Sequence, residues 1–519
     1  MKTFLKILAT LLIIIAVLAV IVIIKTSTYS FVKHSPVETA GETVSQAKTL
    51  SARSLERFAG GISIPTVSTG NYEDTYFPPF DRFNEYLMES YPNIYEVMDT
   101  MTINGYGLVF RWNGQNPNLK PILLLSHYDV VPVMGFDQTE DSVVKVDFRP
   151  ADTAMAPIDN YIEEWEQPPF SGAVVNGRIY GRGTLDMKGM LFGLLEAADA
   201  LIEEGFTPQQ DIWFSFGHDE EVGGLHGATY IAEWFLQQGI TFDAVYDEGG
   251  IIDADGLNKV SSPIALVGIG EKGFLTLQIK VAGIGGHSSM PPKKGSLVMA
   301  AEIMEKLNNN QMKARIIPPI SDFLDNIGGE QGFATRMAIA NKWLFNPLLI
   351  KNLEKTPASN ALVRTTTAVT RAKGSDAANV LSSVSEITVN FRLLPGDTVE
   401  DVLNHVRKIC EGYDTEIEIV NAREASGLSS ADTKSFRAIK NTVEKIYPGT
   451  IVTTYVTIGG TDAYKYQKVS DNIYRFMPVK INNYEQRTIH NENEYISVEN
   501  FSNMVAYFTE LIRTYQDTE

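Results

Sequence analysis

Residues 121–129, Pro-Ile-Leu-Leu-Leu-Ser-His-Tyr-Asp, predict a buried parallel strand whose last residues are polar. The four consecutive apolar residues, Ile122 to Leu125, are typical of a strand covered on both faces. Ligands bind at the carboxyl ends of strands in open α/β sheets, so His127 and Asp129 are candidate site residues. Because they are two residues apart in extended chain, they point the same way, and Asp129 can orient the imidazole. Taken alone, His127 is equally well interpreted as a buried structural histidine.

Acidic side chains follow two more predicted strands. The apolar segments at 211–216 and 242–246 are each followed by a short acidic run. Adjacent carboxylates repel one another unless solvent or cations balance them. A solvated loop would also tolerate them, but the flanking strands place these acids at the same carboxyl edge of the sheet. The four acids are Glu220, Glu221, Asp247 and Glu248.

Two residues of similar chemistry lie in turns. Asp186 follows Gly181 and Gly183 and precedes a predicted buried helix at 190–204, where a lone aspartate is usually a helix cap. His490 stands in the acidic run 488–494. With His127 it completes a two-histidine set.

Composition limits the classes of function and of metal site. The chain has 519 residues, a net charge of −19 and a single cysteine. This length predicts roughly two or three domains. The acidity excludes a nucleic-acid partner, because phosphate neutralisation needs a basic face. One cysteine excludes an intramolecular disulfide and a multi-cysteine metal site, so a metal here has His, Asp and Glu ligands. Such a ligand set predicts one or two divalent ions, with zinc the first choice, and hydrolysis as the chemistry.

The N-terminal segment predicts a membrane anchor. Ile7 to Ile24 carries no charge and is flanked by Lys2, Lys6 and Lys25. As a helix this run is about 27 Å long, close to the hydrocarbon thickness of a bilayer. The alternative is a cleaved signal peptide and a secreted protein. The lysines before the run predict a single-pass protein with a cytoplasmic N-terminus and a catalytic domain on the non-cytoplasmic side.

The strand pattern changes at about residue 268 and returns at about 422. Segments at 274–281 and 386–394 alternate apolar and polar residues, which is typical of antiparallel strands with one covered face. Residues 134–164 are expected to be a surface insertion and 311–375 an irregular extension. The sequence thus predicts an anchor and tether at 1–35, a catalytic domain in two parts at 36–267 and 422–519, and an inserted two-layer lid domain at 268–421.

Eight motifs carry a family resemblance. They are SHYDVVP, PPFSG, IYGRGTLDMKG, HDEEVGG, DEGG, GGHSSMPP, NFRLLPGD and HNENE, in this order. Together they resemble the co-catalytic zinc aminoacylase and carboxypeptidase family, in particular its carboxypeptidase S (Gly-Xaa carboxypeptidase) and N-fatty-acyl-amino-acid synthase/hydrolase branches. The resemblance covers roughly residues 50–515. It implies an α/β fold, with a zinc-exopeptidase-type catalytic domain built on a mixed, mainly parallel sheet, plus an inserted α+β two-layer lid domain that forms a homodimer.

The resemblance also implies two zinc ions in each chain. Asp186 would bridge them, and either Asp247 or Glu248 would be a ligand, with Glu248 preferred. One ion would be held by His127, Asp186 and Glu248, and the other by Asp186, Glu221 and His490.

The other site residues implied by the resemblance act on the substrate or on the ligands. Glu220 would be the general base, and Asp129 would orient His127. His287 resembles the lid histidine that stabilises the oxyanion in the partner subunit's site. Arg392 would hold a free carboxylate of the substrate, since its planar fork suits that anion. Gly459 and Gly460 would line the same pocket.

These expectations converge on a zinc-dependent hydrolase that cleaves an amide bond next to a free carboxylate. A metallo-carboxypeptidase that acts on short peptides is the first choice. The alternative is an aminoacylase that hydrolyses N-acyl, including fatty-acyl, amino acids. A catalytically silent binding protein is the non-enzyme alternative, and the complete ligand set with Glu220 argues against it.

Overall fold

A computed structural model describes residues 2–31, 50–137, 144–145, 163–256 and 260–518. The chain forms two compact units. The large unit contains His34–Ile269, Ser429–Thr453 and Gly460–Glu519. The small unit contains Met1–Lys33, Gly270–Leu428 and Thr454–Gly459. Residues 32–49, which include the end of the predicted anchor and tether at 1–35, and most of the predicted insertion at 134–164 lie outside the described residues.

The described residues form fifteen α-helices. They are α1 Lys2–Thr28, α2 Ala52–Ile62, α3 Pro78–Ser90, α4 Pro92–Val97, α5 Lys188–Glu203, α6 Ala228–Gln237, α7 Ser296–Asn309, α8 Pro318–Gly328, α9 Phe333–Ala340, α10 Lys342–Leu353, α11 Pro357–Ala361, α12 Val399–Ile409, α13 Lys434–Ile446, α14 Asn483–Gln486 and α15 Val498–Thr514. Short 3₁₀ helices occur at Tyr72–Asp74, Glu220–Val222, Asp462–Lys468 and Tyr515–Asp517.

The same residues form twenty-one strands. They are β1 Asp99–Ile103, β2 Gly107–Trp112, β3 Ile122–His127, β4 Phe136–Asp137, β5 Val144–Lys145, β6 Val174–Val175, β7 Arg178–Tyr180, β8 Ile212–Gly217, β9 Ala244–Asp247, β10 Ile252–Asp253, β11 Ile264–Glu271, β12 Gly273–Ala282, β13 Gly286–His287, β14 Thr366–Lys373, β15 Val380–Leu381, β16 Val384–Leu393, β17 Thr415–Arg423, β18 Ile451–Thr457, β19 Ile473–Arg475, β20 Lys480–Ile481 and β21 Tyr495–Ser497.

A mixed sheet forms the centre of the large unit. Its order is β1-β2-β8-β3-β9-β19-β11-β10-β20, with β18 paired to β11. The four central strands, β8, β3, β9 and β19, run parallel. This confirms the predicted α/β class with a mixed, mainly parallel sheet. Because the central strands are parallel, their carboxyl ends meet at one edge of the sheet.

The strand β3 is buried on both faces, as its apolar run predicts. All six of its residues are buried. Ile122 and Leu124 pack into a core with α5 and α15, and Leu123 and Leu125 pack into a second core with α6. In register, His127 lies opposite Gly217 of β8, and Leu124 lies opposite Tyr246 of β9. The sheet therefore brings the acidic segments after β8 and β9 to the same edge as His127.

The small unit contains a two-layer α/β arrangement. Its antiparallel sheet has the order β14-β16-β12-β17. Alternate residues of β12 and β16 are buried, and they form one apolar core with α7 and α12. A capping box formed by Thr398 and Asp401 starts α12. The opposite face of the sheet carries the less buried residues, which include Phe274 and Arg392.

The expectation of an irregular extension at 311–375 is wrong. This stretch contains α8, α9, α10, α11 and β14. The helices are short, and three of them contain proline at the start or inside. The helix α10 has apolar residues on most sides and so lacks an amphipathic period, whereas α8 buries Ile320, Phe323, Leu324 and Ile327 at helical spacing, a period that was overlooked.

The N-terminal helix α1 is long and apolar enough to cross a membrane, and a signal sequence near an N-terminus has the same character. Most of its residues from Thr3 to Ile21 are exposed. Its last turns pack within the small unit, where Val22 and Thr26 are buried.

Candidate metal centre

Five side chains at the carboxyl edge of the large sheet form two groups of potential metal ligands that share one residue. Within each group the donor atoms lie within 4.8 Å of one another. The first group is His127, Asp186 and Glu248, and the second is Asp186, Glu221 and His490. These are the two sets that the family resemblance implies.

The first group is built around the end of β3. His127 Nε2 lies 3.2 Å from Asp186 Oδ1 and 3.3 Å from Glu248 Oε1. Glu248 follows β9, the parallel neighbour of β3, so the sheet itself positions this pair. One nitrogen and two oxygens thus converge on a common point, as a metal ion requires.

The second group uses the other oxygen of Asp186. His490 Nε2 lies 2.9 Å from Asp186 Oδ2 and 3.1 Å from Glu221 Oε2. His490 has a φ of +58°, in the left-handed region that few non-glycine residues adopt. Because the two oxygens of Asp186 face the two histidines separately, this carboxylate is placed to bridge two ions.

Asp129 positions both His127 and the turn that carries Glu220 and Glu221. It is fully buried, and its Oδ1 lies 3.2 Å from His127 Nδ1. Its Oδ1 and Oδ2 accept the main-chain N–H groups of Glu220 and Glu221, each at 3.1 Å. Ser68 Oγ donates a further hydrogen bond to Oδ2 at 2.7 Å. Asp129 therefore leaves Nε2 of His127 facing the donor groups and fixes the turn that carries both glutamates.

Glu220 lies beside both donor groups but belongs to neither. Its Oε2 is 3.8 Å from His127 Nε2, and its side chain is largely buried. It begins the 3₁₀ turn Glu220–Val222, in which Glu221 faces His490. The turn thus separates the two adjacent glutamates, one as a ligand candidate and the other as a free carboxylate.

Burial and mutual repulsion make three carboxyl groups of this site, Glu220, Glu221 and Glu248, unusually hard to ionise. At Asp186, contacts with His127 and His490 outweigh burial and lower the pKa. Burial and the neighbouring Asp186 raise the pKa of Glu221 to about 7 and that of Glu248 to about 8. Burial also raises the pKa of Glu220 well above its usual range. Hydrogen bonding to the carboxylates of Asp186 and Glu221 raises the pKa of His490 to about 10. The site therefore holds more negative charge than its own histidines balance.

Asp247 differs from Glu248 in its surroundings. The structure places Asp247 outside both donor groups, although it too is buried. Burial and the nearby Asp462 raise its pKa to about 6. Asp462 pairs with Lys465 at 2.5 Å. Of the two adjacent acids, the geometry thus places Glu248 with His127.

Glu494 is a functional residue to which sequence reasoning gave no role. It is fully buried, and its Oε1 accepts the main-chain N–H groups of Gly183, Leu185 and Asp186 at 3.0, 2.9 and 3.2 Å. Arg182 Nη1 donates to its Oε2 at 3.0 Å. Glu494 therefore holds the loop that presents the bridging Asp186. Its place in the HNENE motif was the available signal.

Four further candidate residues lie outside this cluster. His287 and Arg392 belong to the small unit, on β13 and β16. His287 is exposed, and its Nδ1 lies 2.7 Å from Ser289 Oγ. Gly459 and Gly460 follow β18 and are both exposed. The structure thus brings together the predicted metal ligands with Asp129 and Glu220, while the roles of these four residues stay predictions.

The residues fit divalent metal ions. The donors are imidazole nitrogens and carboxylate oxygens, a set that suits zinc and related divalent metals. Within the described residues, three buried carboxylate oxygens have no hydrogen-bond partner: Glu221 Oε1, which belongs to the second donor group, and Asp247 Oδ2 and Asp462 Oδ2, which belong to neither. A buried carboxylate without a partner is costly, and a divalent cation supplies the missing charge.

Two proteins from other organisms are similar to this chain over most of its length. The chain is 34% identical over 465 residues to "Probable carboxypeptidase S-like 2" of Dictyostelium discoideum, covering 88% of this chain and 84% of that protein. It is 33% identical over 469 residues to "N-fatty-acyl-amino acid synthase/hydrolase PM20D1" of Xenopus tropicalis, covering 90% and 86%.

The fold also matches a solved structure. An M20 family metallo-carboxypeptidase from Sulfolobus solfataricus superimposes with a TM-score of 0.62 at 19% identity, covering 89% of this chain and 99% of that one. The model of peptidase family M20/M25/M40 matches residues 123–514, which include every residue of the two donor groups. This chain therefore belongs to peptidase family M20/M25/M40, a family of hydrolytic enzymes.

Proposed function

We propose that this protein is a two-zinc carboxypeptidase that cleaves the amide bond next to the free carboxylate of short peptides. The observation that carries the proposal is the position of Asp186, whose two oxygens face two separate histidine–glutamate sets, with Glu220 free beside them. His127 and Glu248 complete one zinc site, and Glu221 and His490 complete the other. Zinc ions held there supply Lewis-acid polarisation of the scissile carbonyl and make a water molecule more acidic.

The residues of the chain provide the proton transfers. The Glu220 carboxylate takes a proton from the attacking water and gives it to the leaving amide nitrogen. Its raised pKa suits both roles, since a strongly acidic carboxyl group would release the proton to solvent too readily. Asp129 holds the main-chain N–H of Glu220, so the base stays in place during the reaction.

Arg392 is the proposed anchor for the free carboxylate of the substrate. It stands on β16 directly opposite Phe274 of β12, and Arg423 of β17 stands opposite the same residue. Burial and the charge of Arg423 lower the pKa of Arg392. Arg423 pairs with the buried Glu271, so Arg392 is the guanidinium proposed to bind the anion. His287 is proposed to stabilise the oxyanion, and Gly459 and Gly460 to line the pocket.

A second candidate function is hydrolysis of N-fatty-acyl amino acids. It is favoured by the similarity to the synthase/hydrolase of Xenopus tropicalis, which nearly equals the similarity to the carboxypeptidase S-like protein. Both reactions break an amide bond next to a free carboxylate, so the same metal centre serves either one. They differ in the group on the other side of that bond.

We also propose that α1 is an uncleaved anchor and that the small unit forms a homodimer. The anchor is supported by the length and apolar character of α1 and by the packing of its last turns within the small unit. Homodimerisation rests on the family resemblance alone. Intact mass of the purified chain and its molar mass by light scattering test the two proposals separately.

The deciding experiment compares three substrates that share one leaving amino acid. The full chain in detergent, loaded with zinc, is given Gly-Leu, N-acetyl-leucine and N-oleoyl-leucine, and leucine release is measured. Glu220→Gln is the matched blank, because it keeps the shape of the side chain and removes the base. Preferred cleavage of Gly-Leu supports the carboxypeptidase, and preferred cleavage of N-oleoyl-leucine supports the second function. Equal leucine release by wild type and Glu220→Gln would overturn both.

A further inference from the structure

The end of helix α1 is tied to three short helices of the small unit. Asn341, between α9 and α10, is fully buried, and its Nδ2 donates to Val22 O at 3.3 Å and to Thr26 Oγ1 at 3.1 Å. Tyr29 OH donates to Asp325 Oδ1 of α8 at 2.6 Å. These contacts link the last turns of α1 to α8, α9 and α10 within one compact unit.

The contacts lie at the end of the apolar run of α1. Its charge-free stretch stops at Ile24, and the two contact residues Val22 and Thr26 stand two positions before and after it. Two residues of helix correspond to an axial distance of about 3 Å. If α1 crosses a bilayer, α9 and α10 therefore lie at the level where hydrocarbon gives way to headgroups.

These two helices expose large apolar side chains. Phe333 is 68% exposed, Trp343 53%, Leu344 39% and Leu348 59%. In α10, Leu349 is the residue that is buried. Single exposed apolar residues are common on proteins, but these four are concentrated on two short helices that pack against each other.

The charge of this segment suits a membrane surface. Residues 333–353 carry Arg336, Lys342 and Lys351 and no acidic residue, although the whole chain has a net charge of −19. Lys342 pairs with Asp325 of α8 at 2.6 Å, so Arg336 and Lys351 provide the positive charge of this segment. The Nζ of Lys25 lies 5.7 Å from the ring centroid of Trp343. Tryptophan with flanking lysine is typical of the interface between lipid and water, where the ring and the amine reach different depths.

We propose that α9 and α10 form a membrane-docking face, with Phe333, Trp343, Leu344 and Leu348 inserted between the headgroups and the first acyl carbons. This inference rests on the proposed membrane anchor and extends it. The small unit would then be attached to the bilayer twice, by a spanning helix and by an interfacial helix pair. The second attachment fixes its orientation on the membrane, which a single flexible anchor does not.

The test measures how close labelled residues come to lipid. The full chain, with Cys410→Ser to remove its single cysteine, is reconstituted into vesicles of equal parts phosphatidylcholine and phosphatidylserine. A bimane fluorophore is attached to Leu348→Cys, and the quencher is a lipid with a doxyl group near the start of its acyl chain. Val420→Cys on β17, which is also 59% exposed, is the matched control. Ile15→Cys reports on α1 with a quencher deep in the acyl chain.

The docking face predicts at least about a twofold quenching at position 348 and little at position 420. Quenching at position 15 without quenching at 348 would leave the anchor intact and overturn the docking face. Absence of quenching at both positions would overturn both proposals. A blue-shifted label at 348 that lipid quenchers do not affect would also overturn the inference, because it would show that protein, such as a second copy of the chain, covers this face. Retained leucine release by each labelled chain shows that it is folded.

Discussion

The Asp129 carboxylate accepts the main-chain N–H of Glu220 at 3.1 Å while it contacts His127 Nδ1 at 3.2 Å. One buried side chain thus sets the position of the proposed base and the orientation of a metal ligand. The ligand candidate His127 ends β3, and the proposed base Glu220 follows β8. The carboxyl ends of these two strands are adjacent in the sheet.

Replacement of Asp129 by Asn tests this coupling. Asn presents one oxygen where the carboxylate presents two, so one of the N–H groups loses its acceptor and His127 loses its charged partner. We expect kcat or zinc affinity to fall by about 10- to 100-fold. Steady-state kinetics and zinc titration measure the two effects. Ser68→Ala, which removes only the hydroxyl that donates to Asp129, is expected to have a much smaller effect. Similar losses in both variants would contradict the role given to Asp129.

The number of zinc ions lost on mutation should depend on whether the removed ligand belongs to one donor group or to both. Glu248→Ala removes a ligand from the first group alone and His490→Ala from the second alone, so each is expected to lose about one ion per chain, whereas Asp186→Ala loses about two. Asp247→Ala is the comparison, because Asp247 lies outside both groups. Elemental analysis by mass spectrometry gives the stoichiometry. Loss of zinc in Asp247→Ala with retention in Glu248→Ala would reverse the assignment of these two acids.

Removal of the Glu494 charge should destabilise the large unit. Glu494→Gln leaves the buried Arg182 with Glu163 as its remaining carboxylate partner, and it weakens the hold on the loop before Asp186. We expect a loss of about 1–3 kcal/mol in the free energy of unfolding, together with weaker zinc binding. Glu499→Gln, an exposed change on α15, should alter stability by less than about 0.5 kcal/mol. A stable Glu494→Gln protein with normal zinc affinity would show that the loop needs no such support.

Arg392 should affect substrate binding more than the chemical step. Replacement by Ala removes a charge-assisted interaction with the substrate carboxylate, and we expect kcat/KM to fall by about 10- to 100-fold, mainly through a higher KM. Arg371→Ala is the control, since Arg371 is an exposed arginine on β14 of the same sheet. Kinetics on an amide analogue of the substrate, which lacks the carboxylate, should be insensitive to the Arg392 change. An unchanged KM for the acid would exclude the carboxylate anchor.

Lys272 should make stability depend on pH. It is fully buried and donates to Ala361 O and Arg364 O, and burial together with the charge of Arg392 lowers its pKa from 10.5 to about 7. Between these two values the unfolded chain binds the proton that the folded chain lacks, so stability rises as pH increases from 7. Between pH 7 and pH 9, we expect the free energy of unfolding of wild type to rise by up to about 1–2 kcal/mol more than that of Lys272→Met.

The Lys272 prediction is checked by urea unfolding at each pH. Lys272→Met is expected to be less stable at every pH, because two buried carbonyl groups lose their donor, but its pH slope should be smaller. Lys293→Met, an exposed change in the same unit, should keep the wild-type slope. Identical slopes in wild type and Lys272→Met would mean that Lys272 stays charged in the folded protein.

Local patterns predicted the central strands and the acidic segments that follow them, whereas the assignment of the two ligand sets came from the family resemblance. His127 follows an apolar run, and the acids follow β8 and β9. Because parallel strands align their carboxyl ends, this pattern predicts that these residues lie at one edge of the sheet. The part played by Glu494 was not predictable in this way, since its partners lie some 310 residues earlier and only the folded chain brings them together. The choice between Asp247 and Glu248 depends on the turn after β9, which no periodicity specifies. The helix α10 was missed because its apolar residues are spread over most sides, whereas the helical spacing of Ile320, Phe323, Leu324 and Ile327 in α8 was present in the sequence and overlooked.

The candidate metal ligands around Asp186 are synthesised in a fixed order. His127, Asp186, Glu221 and Glu248 are all polymerised before the insertion at Gly270–Leu428, whereas His490 follows it. Glu494, which holds the loop that presents Asp186, is also polymerised after the insertion. Both donor sets therefore depend on the last segment, the first through the loop of their shared aspartate and the second also through its histidine. Full hydrolytic competence then appears only when the last segment folds back onto the sheet.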